Sequence, residues 1–507
     1  MFIRRKKNAS GSISVQIIDK STGKFRILET IGFATNEKDI RELELRAYEL
    51  MSSLMRQKQI DFTYDEDSIF VQQLQQGLKQ FRVVGPDLVL GKLFEDIGFG
   101  KIEDSLFKEL IITRLICPGS KLKTINYLKQ YKGLTIDSDS VYRYMDKFYN
   151  NQKDAVLEIV LAHTKQILNQ EISISFYDIT TLYFEAEDED DLRKKGFSKD
   201  GKAQNPQILL ALLVSTDGYP LSYEIFKGDT FEGHTLIPVI NEFKSKYGLK
   251  ELIVVADAGL LSKENIETLI KLDYPFILGA RLKNENSIIQ QQIFAKKYIE
   301  NTNITIQKTD NVRLIVHYST KRAKKDEHTR QQGLQRLEKN VKTGKLTKEK
   351  INNRGYNKYL KIKNEIDVAI DYTAFNEDRK WNGLKGYITN SNLNTDDVMA
   401  NYKHLWNIEK AFRVSKSDLK VRPIFHRLER RIRAHICLAF CSYKLYKEFE
   451  RILKLKQIPY SVDQALELLK TIYEASIKLP VSKKQTQIIL PLNKTQQILI
   501  DELKIDI

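Results

Sequence analysis

The sequence predicts an α/β fold, because strand-like and helical segments alternate through the middle of the 507-residue chain. Three consecutive strands are followed by strand-helix units, and the length allows several domains. Helices are expected from His234 to Tyr247 and from Lys263 to Leu272. Strands are expected near residues 172–177, 207–214, 221–226, 252–256 and 276–280.

The N-terminal segment has a hairpin pattern followed by a helical one. Ser12–Ile18 and Phe25–Ile31 alternate like strands around a short polar turn, which predicts a hairpin. A helix is expected from Glu37 to about Met55. This module is either an arm that contacts DNA or another subunit, or a purely structural hairpin.

A helical region follows, up to residue 168, and contains two short helices close together. They are expected at Ser120–Tyr131 and Ser138–Phe148, with Ser138 or Asp139 as the N-cap of the second. Their spacing is similar to a helix-turn-helix, which would make Arg143 a DNA contact. The alternative is a plain helical bundle.

Two aspartates lie at the ends of predicted strands. Asp178 follows Ile172–Tyr177, and Asp257 follows the apolar run Leu252–Ala256. Because strand ends and the loops leaving them commonly hold ligand sites, both acids are candidate catalytic residues. The alternatives are a turn or N-cap aspartate at 178, and a cap at 257 for the helix that begins at Lys263.

A third acid, Glu409, lies among cationic and aromatic residues. At about 100° per residue, Tyr402, Glu409 and Lys416 share one helix face, and Arg413 and Lys420 lie on or beside it. A carboxylate surrounded by cations suits a site that binds a metal ion and a phosphate chain. The alternative is a surface helix in which Glu409 pairs with Arg413 at i+4.

The net charge is positive and unevenly distributed. The chain has 82 basic and 66 acidic residues, a formal charge of +16. Residues 281–370 contain 21 basic against 9 acidic side chains, and residues 401–433 contain 10 against 3. A charge run is commonly a solvated face, but this local excess favours contact with phosphate backbones.

Cysteine content and hydropathy exclude other classes of protein. Three cysteines are too few and too scattered for a disulfide framework, and Cys437 and Cys441 are expected to be buried thiols. A zinc site including His435 is the alternative. The longest apolar run, Ile208–Val214, is too short to cross a bilayer, so a soluble protein without a membrane partner is expected.

Three acids of this chain, Asp178, Asp257 and Glu409, resemble the catalytic set of bacterial insertion-sequence DDE transposases. Tyr402 and Lys416 lie near the glutamate. The resemblance is to the cut-and-paste group with a Tyr-Arg-Glu-Lys signature, spaced Y-x2-R-x3-E-x6-K. Tyr402, Glu409 and Lys416 fit that spacing, whereas Leu405 stands where the arginine belongs. Arg413 is our hypothesis for a substitute phosphate contact.

The resemblance implies a ribonuclease-H-like catalytic core interrupted by an insertion domain, with an N-terminal hairpin, a helical DNA-binding region and a helical C-terminus. The implied domains are residues 1–84 (hairpin and helix), 85–168 (helix-turn-helix-like), 169–284 with 395–446 (catalytic core), 285–394 (basic insertion) and 447–507 (C-terminal helices).

The implied insertion contains strand, helix and aromatic features of its own. Strands are expected at Asn303–Ile306 and Val312–Tyr318, and a charged helical pair at Lys321–Lys350, broken near Gly344. Contact with DNA ends is the preferred interpretation. Trp381 has a position similar to the aromatic that stacks on a flipped base in hairpin-forming relatives; the alternative is a core tryptophan in a strand.

The resemblance also implies cofactors and partners. Asp178, Asp257 and Glu409 would bind Mg²⁺, with Mn²⁺ as a substitute, and Tyr402 and Lys416 would contact phosphate. The partners would be double-stranded DNA, as element ends and target, and a second copy of the chain, forming a homodimer on DNA. The expected location is the bacterial cytoplasm, at the nucleoid. Alternatives are a non-catalytic DNA-binding derivative and a stand-alone nuclease of the same fold.

Helices at Arg427–Leu455 and Val462–Ile477 are candidates for the dimer contact, and packing within the protein is the alternative.

Overall fold

The computed structural model describes residues 1–21, 23–58, 66–168, 172–199, 201–247, 252–260, 262–343, 355–362, 368–479 and 482–505. These described residues divide into two compact units. One contains Met1–Lys79 and Ser476–Thr486, and the other contains Gln80–Ala475 and Gln487–Ile507.

The first unit is built on an antiparallel sheet and a long helix. Among its described residues, strands β1 (Phe2–Lys7), β2 (Ile13–Asp19) and β3 (Arg26–Ala34) pair in that order. Helices α1 (Glu37–Lys58) and α2 (Glu66–Gly77) follow. Apolar residues of α1 pack on those of β2. The predicted hairpin and helix are therefore confirmed.

Strand β1 was not predicted, because residues 4–7 are all basic and show no alternation. Its pairing with β2 instead leaves Arg5 beside α1, where the guanidinium pairs with Glu37 at 2.8 Å and Glu44 at 2.6 Å.

The helical region begins after strand β4 (Leu78–Val83). Its helices are α3 (Gly85–Ile97), α4 (Ser105–Ile116), α5 (Lys121–Tyr127), α6 (Ser138–Asn151) and α7 (Lys153–Ile167). The two short predicted helices are confirmed as α5 and α6. The predicted N-cap of α6 is wrong: Asp137 has extended backbone angles and accepts a hydrogen bond from the Ser140 amide at 3.2 Å.

A large mixed sheet forms the centre of the second unit and confirms the predicted α/β class. Among the described residues, eight strands pair in the order β10-β11-β14-β9-β8-β5-β6-β7. Strands β5, β8 and β9 run parallel, and the other pairs are antiparallel. The strands of this part of the chain are β5 (Ile174–Tyr183), β6 (Gln207–Ser215), β7 (Pro220–Lys227), β8 (Ile253–Ala256), β9 (Phe276–Ala280), β10 (Asn303–Thr309), β11 (Val312–Tyr318) and β14 (Leu384–Thr389), with β12 (Leu360–Ile362) and β13 (Val368–Ile370) as a separate pair.

Helices cover this sheet and connect its strands. The predicted helices after β7 and β8 are present as α8 (Leu236–Tyr247) and α9 (Lys263–Lys271). Those of the 285–394 segment are α10 (Ser287–Phe294), α11 (Thr320–Lys342) and α12 (Tyr372–Glu377). The first half of the predicted charged pair is α11, whereas residues 344–350 of the second half lie outside the described residues.

The 285–394 segment shares the sheet of the predicted core. Its strands β10, β11 and β14 continue the same hydrogen-bond ladder, and β14 pairs directly with β9. This segment therefore adds strands β10, β11 and β14 to the central sheet, in addition to the separate β12–β13 pair.

The last part of the chain is mainly helical. Its elements are α13 (Thr395–Lys403), α14 (Trp406–Arg413), α15 (Glu429–Leu455), α16 (Val462–Leu469), β15 (Tyr473–Lys478), β16 (Gln485–Ile489) and α17 (Lys494–Leu503). The predicted helix Val462–Ile477 is too long, because the chain becomes strand β15 at Tyr473. Most of α15 is buried in the main core, so that part of it packs within the protein and is not available to a second copy.

Cys437 and Cys441 are free and buried, as predicted. No helix among the described residues is long and apolar enough to cross a membrane.

Candidate active site

Asp178 lies inside a strand, not at the end of one. Strand β5 continues to Tyr183, because its second half still pairs with β6 up to the Tyr183–Gln207 pair. The prediction of a strand-end or turn aspartate is therefore wrong. Its carboxylate projects from the sheet face toward the main core, and the side chain is 20% exposed.

The surroundings of Asp178 disfavour its ionised form. Its pKa is raised to about 6, mainly by burial and to a smaller extent by the nearby carboxylates of Asp257 and Glu232. Lys199, whose Nζ lies 3.9 Å from Oδ1, and the Ile179 amide, which donates a 2.7 Å hydrogen bond, both act in the opposite direction. The site thus contains more negative charge than its immediate cation offsets.

Asp257 lies directly after β8, as predicted. Parallel strands β5 and β8 pair Tyr177 with Ala256, so Asp178 and Asp257 follow paired residues on strands about 4.8 Å apart. The Asp257 Oδ1 accepts a hydrogen bond from the Gly259 amide at 2.8 Å. Helix α9 is capped by Ser262, so the alternative role of Asp257 as its cap is wrong.

The predicted continuous helix around Glu409 is divided in two. Helix α13 ends at Lys403, and i to i−3 hydrogen bonds tighten the chain at His404 and Leu405 before α14 begins. Tyr402 is buried whereas Glu409 is exposed, so the prediction that they share one helix face is wrong.

A wider turn then displaces Lys416. Residues 414–418 form one turn of π-helix, which shifts this side chain from the phase expected for a regular α-helix. Lys416 is half-buried and lines a small cavity with Thr180, two residues beyond Asp178 on the same face of β5.

Tyr402 nevertheless lies within electrostatic range of all three acids. Its hydroxyl lies against Gly279, where an added Cβ would come within 2.4 Å of it and 3.1 Å of the Ala258 nitrogen, next to Asp257. Burial raises the pKa of Tyr402, and the charges of Asp257, Glu409 and Asp178 raise it further. One phenol therefore experiences all three carboxylates.

Lys385 is a site residue that the sequence analysis missed. Its Nζ lies 4.5 Å from the centre of the Tyr402 ring and 5.4 Å from that of Tyr387. Burial lowers the pKa of Lys385, and Glu409 acts to raise it. No local signal in the sequence indicates this position, because it depends on the long-range pairing of β14.

Lys199 and Glu232 were also missed. The Lys199 Nζ lies 3.1 Å from Glu232 Oε1 and donates a 2.7 Å hydrogen bond to the carbonyl of Ile179. Both residues lie outside the strands, on segments that the fold brings to β5. This pair is the immediate polar neighbourhood of Asp178.

The other predicted phosphate contacts are more dispersed. Arg413 and Lys420 are exposed, and Arg413 forms no ion pair with Glu409, so that alternative is wrong. Arg143 is exposed on α6 and donates a 3.0 Å hydrogen bond to Ser140.

Trp381 lies at the wall of a large cavity. It is half-buried in a 3₁₀ turn, not in a strand, and its ring centre lies 4.6 Å from that of Phe294. The cavity has a volume of about 900 Å³ and reaches Tyr402 and Ala258. Basic residues on its wall include Arg281, Lys283, Arg322, Lys325 and Lys385.

The donor set has the chemistry of a divalent-cation site. Carboxylate oxygens are the ligands that Mg²⁺ prefers, and a bound cation would stabilise the ionised form of Asp178, which burial and the neighbouring carboxylates disfavour. Among the described residues, no three His, Cys, Asp or Glu side chains are grouped closely enough to hold one ion. The acids are neighbours without being an assembled ligand cluster.

Comparison with solved structures finds similarity to two transposases. The piggyBac transposase synaptic complex with hairpin DNA matches with 9% identity over 76% of each chain and a TM-score of 0.37. The Mos1 transposase paired-end complex with the left transposon end matches with 15% identity over 37% of this chain and 57% of that chain, with a TM-score of 0.16. Comparison with curated proteins finds no match.

A family model, the transposase DDE domain, matches residues 169–445, which is more than half of the chain and includes all three acids. The chain therefore belongs to the transposase DDE domain family.

Proposed function

We propose that this protein is a DNA transposase that binds the ends of an insertion element, cleaves them by metal-dependent hydrolysis and joins the 3′-OH ends to target DNA. The proposal is carried by the pairing of β5 with β8, which places Asp178 and Asp257 side by side, and by the action of Glu409 on Tyr402, which both aspartates also affect. The family match supports the same reaction class. A ribonuclease-H-like core formed by residues 169–284 and 395–446 belongs to this proposal.

Asp178, Asp257 and Glu409 would hold Mg²⁺, or Mn²⁺ in its place. When bound, a pair of such ions activates the attacking water and stabilises the leaving 3′ oxygen. The protein's own contribution is to place all three carboxylates within electrostatic range of Tyr402. Since the pKa of Asp178 is about 6, this carboxylate is fully available only above neutral pH, and cleavage should increase as the pH rises through 6.

The residues around the acids would orient the phosphate that is cut. Lys385 lies against Tyr402 and within the electrostatic reach of Glu409, so its ammonium is suited to a non-bridging phosphate oxygen. Lys416 lies near the same face of β5 as Asp178 and would act similarly.

Basic surfaces would hold the DNA outside this centre. The cavity bounded by Trp381 and several Arg and Lys residues is large enough for a nucleotide, and a base stacked there would stabilise a hairpin intermediate by about 1–3 kcal/mol. Arg413, Lys420 and Arg143 are further proposed phosphate contacts. Bringing two element ends together makes a homodimer the proposed form on DNA.

The test uses a supercoiled plasmid that contains the coding sequence with its natural flanks. Parent protein, D178N, D257N and E409Q are each assayed for cleavage and strand transfer in Mg²⁺ and in Ca²⁺, with E264Q as an exposed-acid control. We expect cleavage and joining only for the parent and E264Q in Mg²⁺, while all variants retain DNA binding.

Parental cleavage by E409Q would contradict the assignment. Release of 3′-OH ends without joining would indicate a stand-alone nuclease, and DNA binding without cleavage by the parent would indicate a non-catalytic derivative.

A further inference from the structure

A second cavity, of about 530 Å³, lies between the start of α5 and the segment that follows the π turn. Basic residues dominate the polar part of its wall: Arg114, Lys121, Lys420, Arg422, His426 and His435. None of its described wall residues is acidic. It is separate from the cavity at Trp381 and shares no wall residue with it.

Lys121 is the most unusual of these residues. It is only 4% exposed, and no hydrogen bond or ion pair joins its ammonium to another described residue. Burial and the neighbouring charge of Arg114 lower its pKa well below the usual range. Burial without a partner disfavours the charged form of Lys121, so an anion that comes from outside the chain would stabilise its ammonium here.

The two histidines of the cavity also have no acidic partner on the described wall. His435 is buried; its Nε2 lies 3.0 Å from the Val421 carbonyl, to which it donates, and its Nδ1 has no hydrogen-bond partner among the described residues. His426 lies 5.2 Å from it, ring centre to ring centre. Burial, Lys121 and Arg114 lower the pKa of His426 to about 3.

Arg114 holds the wall in place. Its buried guanidinium donates a 2.9 Å hydrogen bond to the Leu419 carbonyl and a 3.5 Å one to that of Gly119. These contacts tie helix α4 to the segment after Glu409, so the cavity is a built feature of the fold. The basic groups are held in position before any ligand arrives.

We propose that this cavity binds a phosphate group, with Lys121, His426 and His435 as its ligands. A metal cation is a poor occupant, because arginine and lysine side chains make the wall cationic and the described wall offers no carboxylate to offset them. A phosphate oxyanion supplies the acceptors that a buried ammonium and two protonated imidazoles require. Its arrival would draw protons onto the histidines, since a neighbouring anion favours their charged forms.

The cavity is connected to the acid site by one strand. The Ile424 amide donates to the Tyr183 carbonyl at 3.2 Å, and Tyr183 lies on β5 five residues beyond Asp178. Five strand residues span roughly 16 Å, which is within the reach of one bound DNA strand. The bound phosphate has two possible sources. One is the DNA backbone, an assignment that rests on the proposed function, and the other is a free phosphate or nucleotide.

The first experiment measures thermal unfolding with inorganic phosphate against chloride at equal ionic strength. The parent and the control K123M, an exposed lysine two residues along α5, should gain the same rise in Tm, and K121M should lose more than half of it. K121Q provides a second variant if K121M does not fold. No rise in the parent, or an equal rise in K121M, would overturn the proposal.

The second experiment distinguishes the two phosphate sources by the salt dependence of DNA binding. If DNA supplies the phosphate, K121M should reduce the slope of log K against log salt by about 0.9 relative to K123M. An unchanged slope together with a lost phosphate effect would support a free phosphate. Neither measurement requires DNA cleavage. A negative result for the phosphate site therefore does not affect the cleavage test of the acid variants, and a negative cleavage result does not affect the phosphate test.

Discussion

The acids around Tyr402 and the bases around Lys121 are two charge clusters of opposite sign in one scaffold. In the first, burial raises the pKa of Asp178 to about 6 with a smaller contribution from the neighbouring carboxylates, although Lys199 opposes the shift. In the second, the pKa of Lys121 falls, and no carboxylate of the described wall opposes the shift. The acid cluster has an excess of negative charge and the basic wall an excess of positive charge. The first is therefore suited to a cation and the second to an anion.

The largest expected effect comes from D178N, which tests the acid cluster alone. Cleavage should fall at least about a thousand-fold. Because a carboxyl whose folded pKa is raised from about 3.9 to about 6 loses stability as pH rises through that window, D178N should be more stable than the parent at pH 8 by up to about 3 kcal/mol, with little difference at pH 4.

Urea unfolding at both pH values without metal measures this difference. D188N, on an exposed loop, is the control and should show neither effect. Equal stability of the parent and D178N at pH 8 would contradict the raised pKa of Asp178.

The next effect tests whether Tyr402 organises the acids. G279A places a Cβ 2.4 Å from the Tyr402 hydroxyl, so the ring must move, at a cost of about 1–3 kcal/mol and with loss of cleavage. Y402F removes the closest atom and should restore much of the stability of G279A. Urea unfolding of the single and double variants provides the measurement.

G91A is the matched control, because a Cβ there meets only ordinary contacts of 3.5 Å or more. If G279A unfolded like G91A, Tyr402 would not be held as described.

A similar or smaller effect is expected at the basic cluster. Replacing the uncompensated ammonium in K121M should stabilise the phosphate-free protein by about 1–2 kcal/mol at neutral pH. A lysine whose folded pKa is lowered gains stability as pH rises toward its unfolded value, so the advantage of K121M should shrink at high pH. Denaturation at pH 7 and pH 10, with K123M as reference, tests this, and a constant difference would contradict it.

The smallest effect concerns Arg413, our substitute for the signature arginine. The residue is exposed, so R413Q should weaken DNA binding by no more than about threefold at moderate salt. Fluorescence anisotropy with an element-end duplex measures it, with R46Q as an exposed control. A larger loss of affinity would mean that Arg413 is a major phosphate contact, and no loss would mean that Arg413 does not contact DNA.

Buried strands were the most predictable part of the fold. β6 and β9 are apolar runs whose burial follows directly from composition, and both were located within a residue or two. The end of β5 was misplaced because the polar residues Asp178, Thr180 and Thr181 interrupt the apolar run, whereas pairing with β6 continues the strand through them. Long-range hydrogen bonds decided that boundary.

The site was predictable only where its residues lie on well-patterned elements. Asp257 was located by the apolar run before it, and the break between Tyr402 and Glu409 was missed because no Gly or Pro marks it. Lys385 and Lys199 could not be found, because their positions depend on strand pairing and loop placement far along the chain. Lys121 likewise has no local signal that distinguishes it from the exposed Lys123.

The position of β14 inside the sheet has a mechanical consequence. Four residue pairs join it to β9, next to the strand that ends at Asp257, and its other edge is bonded to β11 of the basic segment. The hydrogen-bond ladder therefore fixes strands β11 and β14 relative to the strand before Asp257, so a duplex bound as proposed would be held at a fixed distance from that carboxylate. Deleting the segment would leave the edge of β9 with unpaired backbone groups, so the segment is an integral part of the central sheet.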